Sequence, residues 1–191
     1  MSEAVSALKG ASRDGFVRVE ECGLQGMVTL RGDLGAAKLA TAVKSVAGVA
    51  LPKPGRVSVS GDKGVAWMSP DELLVMAPYD QADAVQAGLE TALAGAHMLA
   101  VNVSDARAMF RLSGSDAGVR EAIAKLCPVD MDPQSFGVGQ FRRTRMAQSP
   151  AALWMPDEGE LRVVCFRSVA DYAMGLLGHA AAKGSEVGLF S

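Results

Sequence analysis

Two histidines, His97 and His179, and three cysteines, Cys22, Cys127 and Cys165, are the groups of this chain best suited to proton transfer or nucleophilic attack. A thiol or hydroxyl is a weak nucleophile until a base or a lowered pKa helps it. Each histidine, however, stands in an apolar, alanine-rich stretch, LAGAHMLA and LLGHAAA, with no carboxylate or cysteine beside it. Both are therefore read as core or surface residues rather than as catalysts. The cysteines are too widely spaced for a CxxC ligand pair and odd in number, which excludes a simple disulfide framework and suits a reducing compartment. No segment fits GxxxxGK[ST], and GVGQFR from Gly137 lacks the third glycine of a dinucleotide fingerprint. Catalytic, cofactor-binding and metal-ligating residues are all expected to be absent.

Polar clusters and tryptophans remain. Ser104, Asp105 and Arg107 occupy a break between two strands, where Ser and Asp satisfy turn backbone and Arg can pair with Asp. In FRRTRM, strand alternation puts Arg143 and Arg145 on one face and Arg142 on the other. A solvated face is the plain reading; contact with an anion or an acidic partner is the alternative. Trp67 and Trp154 open the nearly identical phrases WMSPDELLV and WMPDEGELRVV and are expected to be equivalent strand residues. They are read first as core packing and second as ligand platforms or interface anchors. Candidates for a partner interface are thus Trp67, Ser104, Asp105, Arg107, Arg143, Arg145 and Trp154.

The elements that position these residues come in two sets. VRVEECGLQGMVTLRG (17–32) and LAVNVSDARAMFRLSG (99–114) alternate apolar and polar around a break, each predicting two short strands closing on a turn. Met27, Leu30 and Gly32 recur as Met109, Leu112 and Gly114, and each glycine opens a helix. The first is expected from about Asp33, with Ala36, Leu39, Val43 and Val46 on one face, ending at Gly48 and Pro52. Its counterpart is capped by Ser115 or Asp116, presents Val119, Ala122, Ile123 and Leu126, and stops at Pro128. Further strands follow, RVSVSG, GVAWM and ELLVMAP against QFRRTRM, AALWM and ELRVVCF, with Pro-Asp-Glu as the last turn of each set. Closing helices carry Val85, Leu89, Ala92 and Leu93, then Val169, Tyr172, Leu176 and Leu177. The repeated unit is read as ββαββα, an α+β plan with helices packed on mostly antiparallel sheets about a pseudo-twofold axis. Residues 16–96 and 97–183 are expected to form the halves of one compact unit, between a flexible segment over 1–15 and a tail over 184–191.

A chain of 191 residues buries enough surface for a sizeable core without metal or disulfide. Its formal charge of −2 leaves no single-signed field to attract nucleic acid or an anionic membrane. No basic-then-apolar leader and no apolar run of membrane-spanning length is found, so a cytoplasmic location is expected. The hydrophobic content is 49% with only 5% aromatics, which suits either a core of small residues or a face covered by a partner.

The runs VNVSDARAMFRLSG, CPVDMDPQSFGVGQ and RSVADYAMGLL, with WMSPDELLV upstream, resemble the gamma subunits of heterotetrameric sarcosine oxidases over roughly residues 16 to 180. The resemblance implies a non-catalytic, stabilising chain beside alpha, beta and delta subunits. Those subunits are expected to carry FAD, FMN, NAD, tetrahydrofolate and zinc, and the complex to oxidise sarcosine to glycine and hydrogen peroxide with one-carbon transfer to tetrahydrofolate. More distantly, the second half resembles the folate-binding fold of the glycine-cleavage aminomethyltransferases. Where that family has an Asp-Asp pair, this chain reads Ala151-Ala152-Leu153-Trp154, and methyl groups cannot move a proton. The related iron-sulfur maturation proteins carry KGCYxGQE, of which only Gly139-Gln140 stands here. A free-standing folate-binding or aminomethyltransferase-like module is the alternative this second resemblance implies.

Overall fold

The computed structural model describes residues 3–190. They form a middle unit, Leu24–Asp105, and a terminal unit that joins the residues up to Gly23 with those from Ala106 onward. Along the chain, β1 (Ser12–Arg13) and β2 (Arg18–Glu21) precede β3 (Gly26–Arg31), α1 (Ala37–Ala47), β4 (Val57–Ser60), β5 (Lys63–Ser69), β6 (Glu72–Ala77) and α2 (Ala82–Ala92). The plan then recurs as β7 (Leu99–Asn102), β8 (Arg107–Ser113), α3 (Asp116–Ala124), β9 (Phe141–Met146), β10 (Ser149–Asp157), β11 (Glu160–Phe166) and α4 (Ala170–Ala180). The α+β class with its doubled plan and antiparallel sheets is as expected. Three strands rather than two follow each first helix, so the full repeat is ββαβββα.

In the middle unit the sheet runs β4-β5-β6-β3-β7. Leu39, Ala42 and Val43 of α1 and Val85 and Leu89 of α2 pack on Val28, Leu30, Val65, Leu73 and Val75. These strand residues alternate along each strand, so one face of the sheet meets the helices. α1 begins one turn later than predicted because the Asp33 carboxylate accepts the Gly35 N–H at 2.9 Å, holding that stretch in a local turn. It ends where predicted: Gly48 adopts φ 70°, a conformation that suits glycine, and its N–H caps the Lys44 carbonyl.

In the terminal unit the sheet runs β1-β2-β8-β11-β10-β9. Val119, Ala122 and Ile123 of α3 and Ala173 and Leu177 of α4 cover Val19, Phe110, Leu112, Leu153 and Val163. Of the two capping candidates, Ser115 is the cap, its hydroxyl accepting the Gly118 N–H at 3.2 Å.

The alternating stretches each hold two strands, but neither is a hairpin. β2 pairs with β8, Val19 lying opposite Leu112, and β7 pairs with β3, Val101 lying opposite Thr29. The leading strand of each stretch therefore belongs to the sheet of the other. Alternation sets which side chains seek a core but not which core: Val17 and Val19 complete the terminal one and Ala100 the middle one. The units accordingly divide at Gly23/Leu24 and Asp105/Ala106 rather than at residues 96 and 97.

The chain ends are tied down more than the sequence suggested. Residues 1, 2 and 191 lie outside the described residues. Beyond them, β1 pairs with β2, and the buried Glu21 carboxylate accepts the Ser6 hydroxyl at 2.9 Å and the Gly10 N–H at 2.7 Å. At the other end, Glu121, also buried, accepts the N–H groups of Val187, Gly188 and Leu189 at 2.8, 2.9 and 3.2 Å, and Lys125 lies 3.0 Å away.

Candidate functional site

Of the groups best suited to chemistry, Cys127 and Cys165 are buried, Cys22 is half-buried and both histidines are exposed. Burial pushes the Cys127 thiol up to about 12 and the Cys165 thiol up to about 11. Cys22 is also raised, by burial first, although Arg162 at 3.1 Å opposes the shift. All three are free thiols held in the unreactive form. His97 and His179 are exposed, and neither imidazole makes a hydrogen bond or ion pair among the described residues. No group of three or more His, Cys, Asp or Glu is placed to hold a metal ion among those residues.

The Ser104 cluster has divided work. Ser104 is buried, and its hydroxyl accepts the Met27 N–H at 2.9 Å, tying the start of β3 to the segment after β7. Asp105 accepts the Tyr79 hydroxyl at 2.9 Å. Arg107 enters β8 and lies over the Phe166 ring, 4.1 Å from its centre. Ser104 and Asp105 thus serve the middle unit and Arg107 the terminal one.

The two tryptophans are not equivalent, contrary to the shared phrase around them. In the middle unit the β5–β6 turn falls on Pro70-Asp71. In the terminal unit β10 runs on through Pro156-Asp157, and the turn moves to Glu158-Gly159, where Gly159 supplies φ 70°. Leu73 and Leu161 occupy matching places, opposite Leu30 and Leu112, but Trp67 faces Leu73 whereas Trp154 faces Arg162. A slip of one residue turns a strand side chain to the other face. Trp67 consequently packs half-buried on the helix side, while Trp154 lies on the helix-free face, 3% exposed and stacked on Phe141 with ring centres 6.2 Å apart.

That helix-free face of the terminal sheet carries a row of charge that sequence reading missed. Glu20, Arg111, Arg162, Trp154 and Phe141 are successive cross-strand neighbours. Arg111 bridges Glu20 at 3.1 Å and Glu160 at 2.8 Å, and Arg162 joins Glu160 at 2.8 Å. Arg111 holds the Glu20 carboxyl below its usual range together with Arg18. Alternation in VRVEE, MFRLSG and ELRVV was signal enough to place these residues on the outward face. Their adjacency depended on strand pairings distant in sequence.

Beyond Phe141 the row ends at β9, the outer strand. Arg143 and Arg145 face Ala152 and Pro150 across it and are exposed, and Arg142 points to the other side, over Phe136. The alternation read from FRRTRM is therefore the geometry found. Along the row, opposite charges are paired.

The fold is of the α+β class, two antiparallel sheets each packed by helices on one face. The glycine cleavage system aminomethyltransferase T of Bartonella henselae superimposes with a TM-score of 0.58 at 15% identity, covering 82% of this chain and 44% of that one. Ala151 and Ala152 are buried in β10. The chain belongs to the sarcosine oxidase gamma subunit family, whose model matches residues 31–183. The sarcosine oxidase subunit gamma of Arthrobacter sp. is 32% identical over 157 residues, 80% of this chain and 73% of the relative. That of Corynebacterium sp. (strain P-1) is 30% identical over 154 residues, with the same coverage of 80% and 73%. A chain of the heterotetrameric sarcosine oxidase from Corynebacterium sp. U-96, solved with pyrrole 2-carboxylate, superimposes with a TM-score of 0.78 at 27% identity, covering 89% of this chain and 87% of that one. Among the described residues no helix is long and apolar enough to cross a membrane.

Proposed function

We propose that this chain is the non-catalytic gamma subunit of a heterotetrameric sarcosine oxidase and that it stabilises the chains that perform catalysis. The observation that carries the reading is the likeness, at a TM-score of 0.78 over 89% of this chain, to a chain of the U-96 heterotetramer. The partners are alpha, beta and delta subunits. FAD, FMN, NAD, tetrahydrofolate and zinc reside on them, and they convert sarcosine to glycine while passing the one-carbon unit to tetrahydrofolate. The buried thiols, the solitary imidazoles and the alanine pair of β10 support a structural role here. The same three free thiols support residence in the reducing cytoplasm.

A permanent subunit of this kind buries on the order of 2,000 Å² or more against its neighbours. Co-expression of the other subunits with and without this chain tests the reading. The expected result is an assembly that loses heat stability and turnover when the chain is omitted. Unchanged stability and turnover of the assembly without it would refute the proposal. Saturable binding of tetrahydrofolate by the isolated chain would favour a folate-binding module instead.

A further inference from the structure

Building on that subunit role, we propose that β9 is a docking edge for an extended acidic segment of a partner subunit, gripped by Arg142 and Arg145. β9 is the outer strand of its sheet, so one side of its backbone has no neighbouring strand. Its six residues, FRRTRM, carry three arginines and no carboxylate. Elsewhere in the terminal unit Arg18, Arg111, Arg120 and Arg162 each meet an Asp or Glu at 2.6–3.2 Å. Arg142 instead meets neutral groups: the Phe141 carbonyl at 2.8 Å, the Gln140 side-chain oxygen at 3.3 Å and the Phe136 ring at 5.6 Å. Arg145 is exposed and meets no carboxylate among the described residues.

The split of the arginines across the two faces argues against a single anion pocket and suits a clamp. A segment laid along the free edge would have Arg142 on one flank and Arg145 on the other. Beside the edge, Val129, Asp130, Ser135, Arg142, Arg143 and Thr144 help line a cleft of about 230 Å³, room for a carboxylate side chain rather than a large cofactor. The Asp130 carboxylate there is bound by the Ser135 hydroxyl and by the Asp132 N–H at 3.0 Å. The rest of the polar lining is guanidinium and hydroxyl. Charge on an outer strand also discourages self-pairing, but one lysine would achieve that. Planar, bidentate donors match carboxylates. The chain carries a net charge of −2, so this edge is a local exception and not part of a basic surface suited to nucleic acid.

The test is reconstitution of the whole assembly with R142E/R145E chain. The expected result is association weaker by about tenfold or more, with the salt sensitivity of wild-type assembly flattened and with R142K/R145K recovering only part of the affinity. The thermal midpoint of the isolated variant checks its fold. Should the reversed chain fail to fold, hydrogen exchange on the wild-type chain decides the question, because residues 141–146 are expected to gain protection on assembly. Unchanged affinity and salt profile, or unchanged exchange at β9, overturns this proposal and leaves the subunit role standing. Failure of the wild-type chain to join the other subunits at all overturns both.

Discussion

Glu121 is the residue on which the C-terminal end depends. Three consecutive backbone N–H groups and Lys125 converge on its buried carboxylate, and these contacts, led by Val187, hold its pKa at about 2. E121Q keeps the shape and removes the charge, so an expected loss of about 2 kcal/mol should appear in urea unfolding. The sign of the pH dependence follows from the lowered pKa. The stabilisation is complete above the ordinary carboxyl value of 4.5 and is lost as pH falls through about 2. The stability gap between wild type and E121Q should therefore close on acidification, and unfolding midpoints measured across that range check it. A second expectation concerns Cys127 and Cys165, whose raised pKa values predict slow alkylation of the native chain near neutral pH and rapid alkylation once it is unfolded. The backbone contacts of Glu121 were not legible in the sequence, because they stand some 66 residues downstream and are groups that any residue type supplies.

Among the elements, β3 is an interior strand, hydrogen-bonded on both sides, to β6 and to β7. Ser104 fastens the start of that pairing through the buried Met27 N–H, and S104A leaves that donor without its partner. A destabilisation of about 1–3 kcal/mol is expected, with faster amide exchange at Met27 as the specific readout. The strands and helices themselves were readable from periodicity, as α1 and α3 illustrate with their buried stripes and their Gly48 and Ser115 boundaries. The pairing of β2 and β7 was not, because local alternation is equally satisfied by a hairpin and by exchange with a distant strand. The equivalence expected of Trp67 and Trp154 failed for a related reason: two phrases alike in residue type differ in where the turn falls, and one extra residue reverses the pleat.

At the scale of the molecule, the terminal unit is built from both chain ends, with Val17 and Val19 lodged among residues that lie beyond position 106. A fragment of residues 106–191 is therefore expected to lack cooperative unfolding, and addition of a peptide spanning residues 3–23 is expected to restore it, as circular dichroism melting would record. Arg111 would regain its Glu20 neighbour only in the mixture. The pairing of β2 with β8 also imposes an order of events on the ribosome. β2 emerges early, yet the strand it must bind is not made until the entire middle unit has been translated. The nascent chain thus carries β2 without its partner strand while the whole middle unit is made, a window in which a chaperone, or slow codons after position 105, would bear on yield.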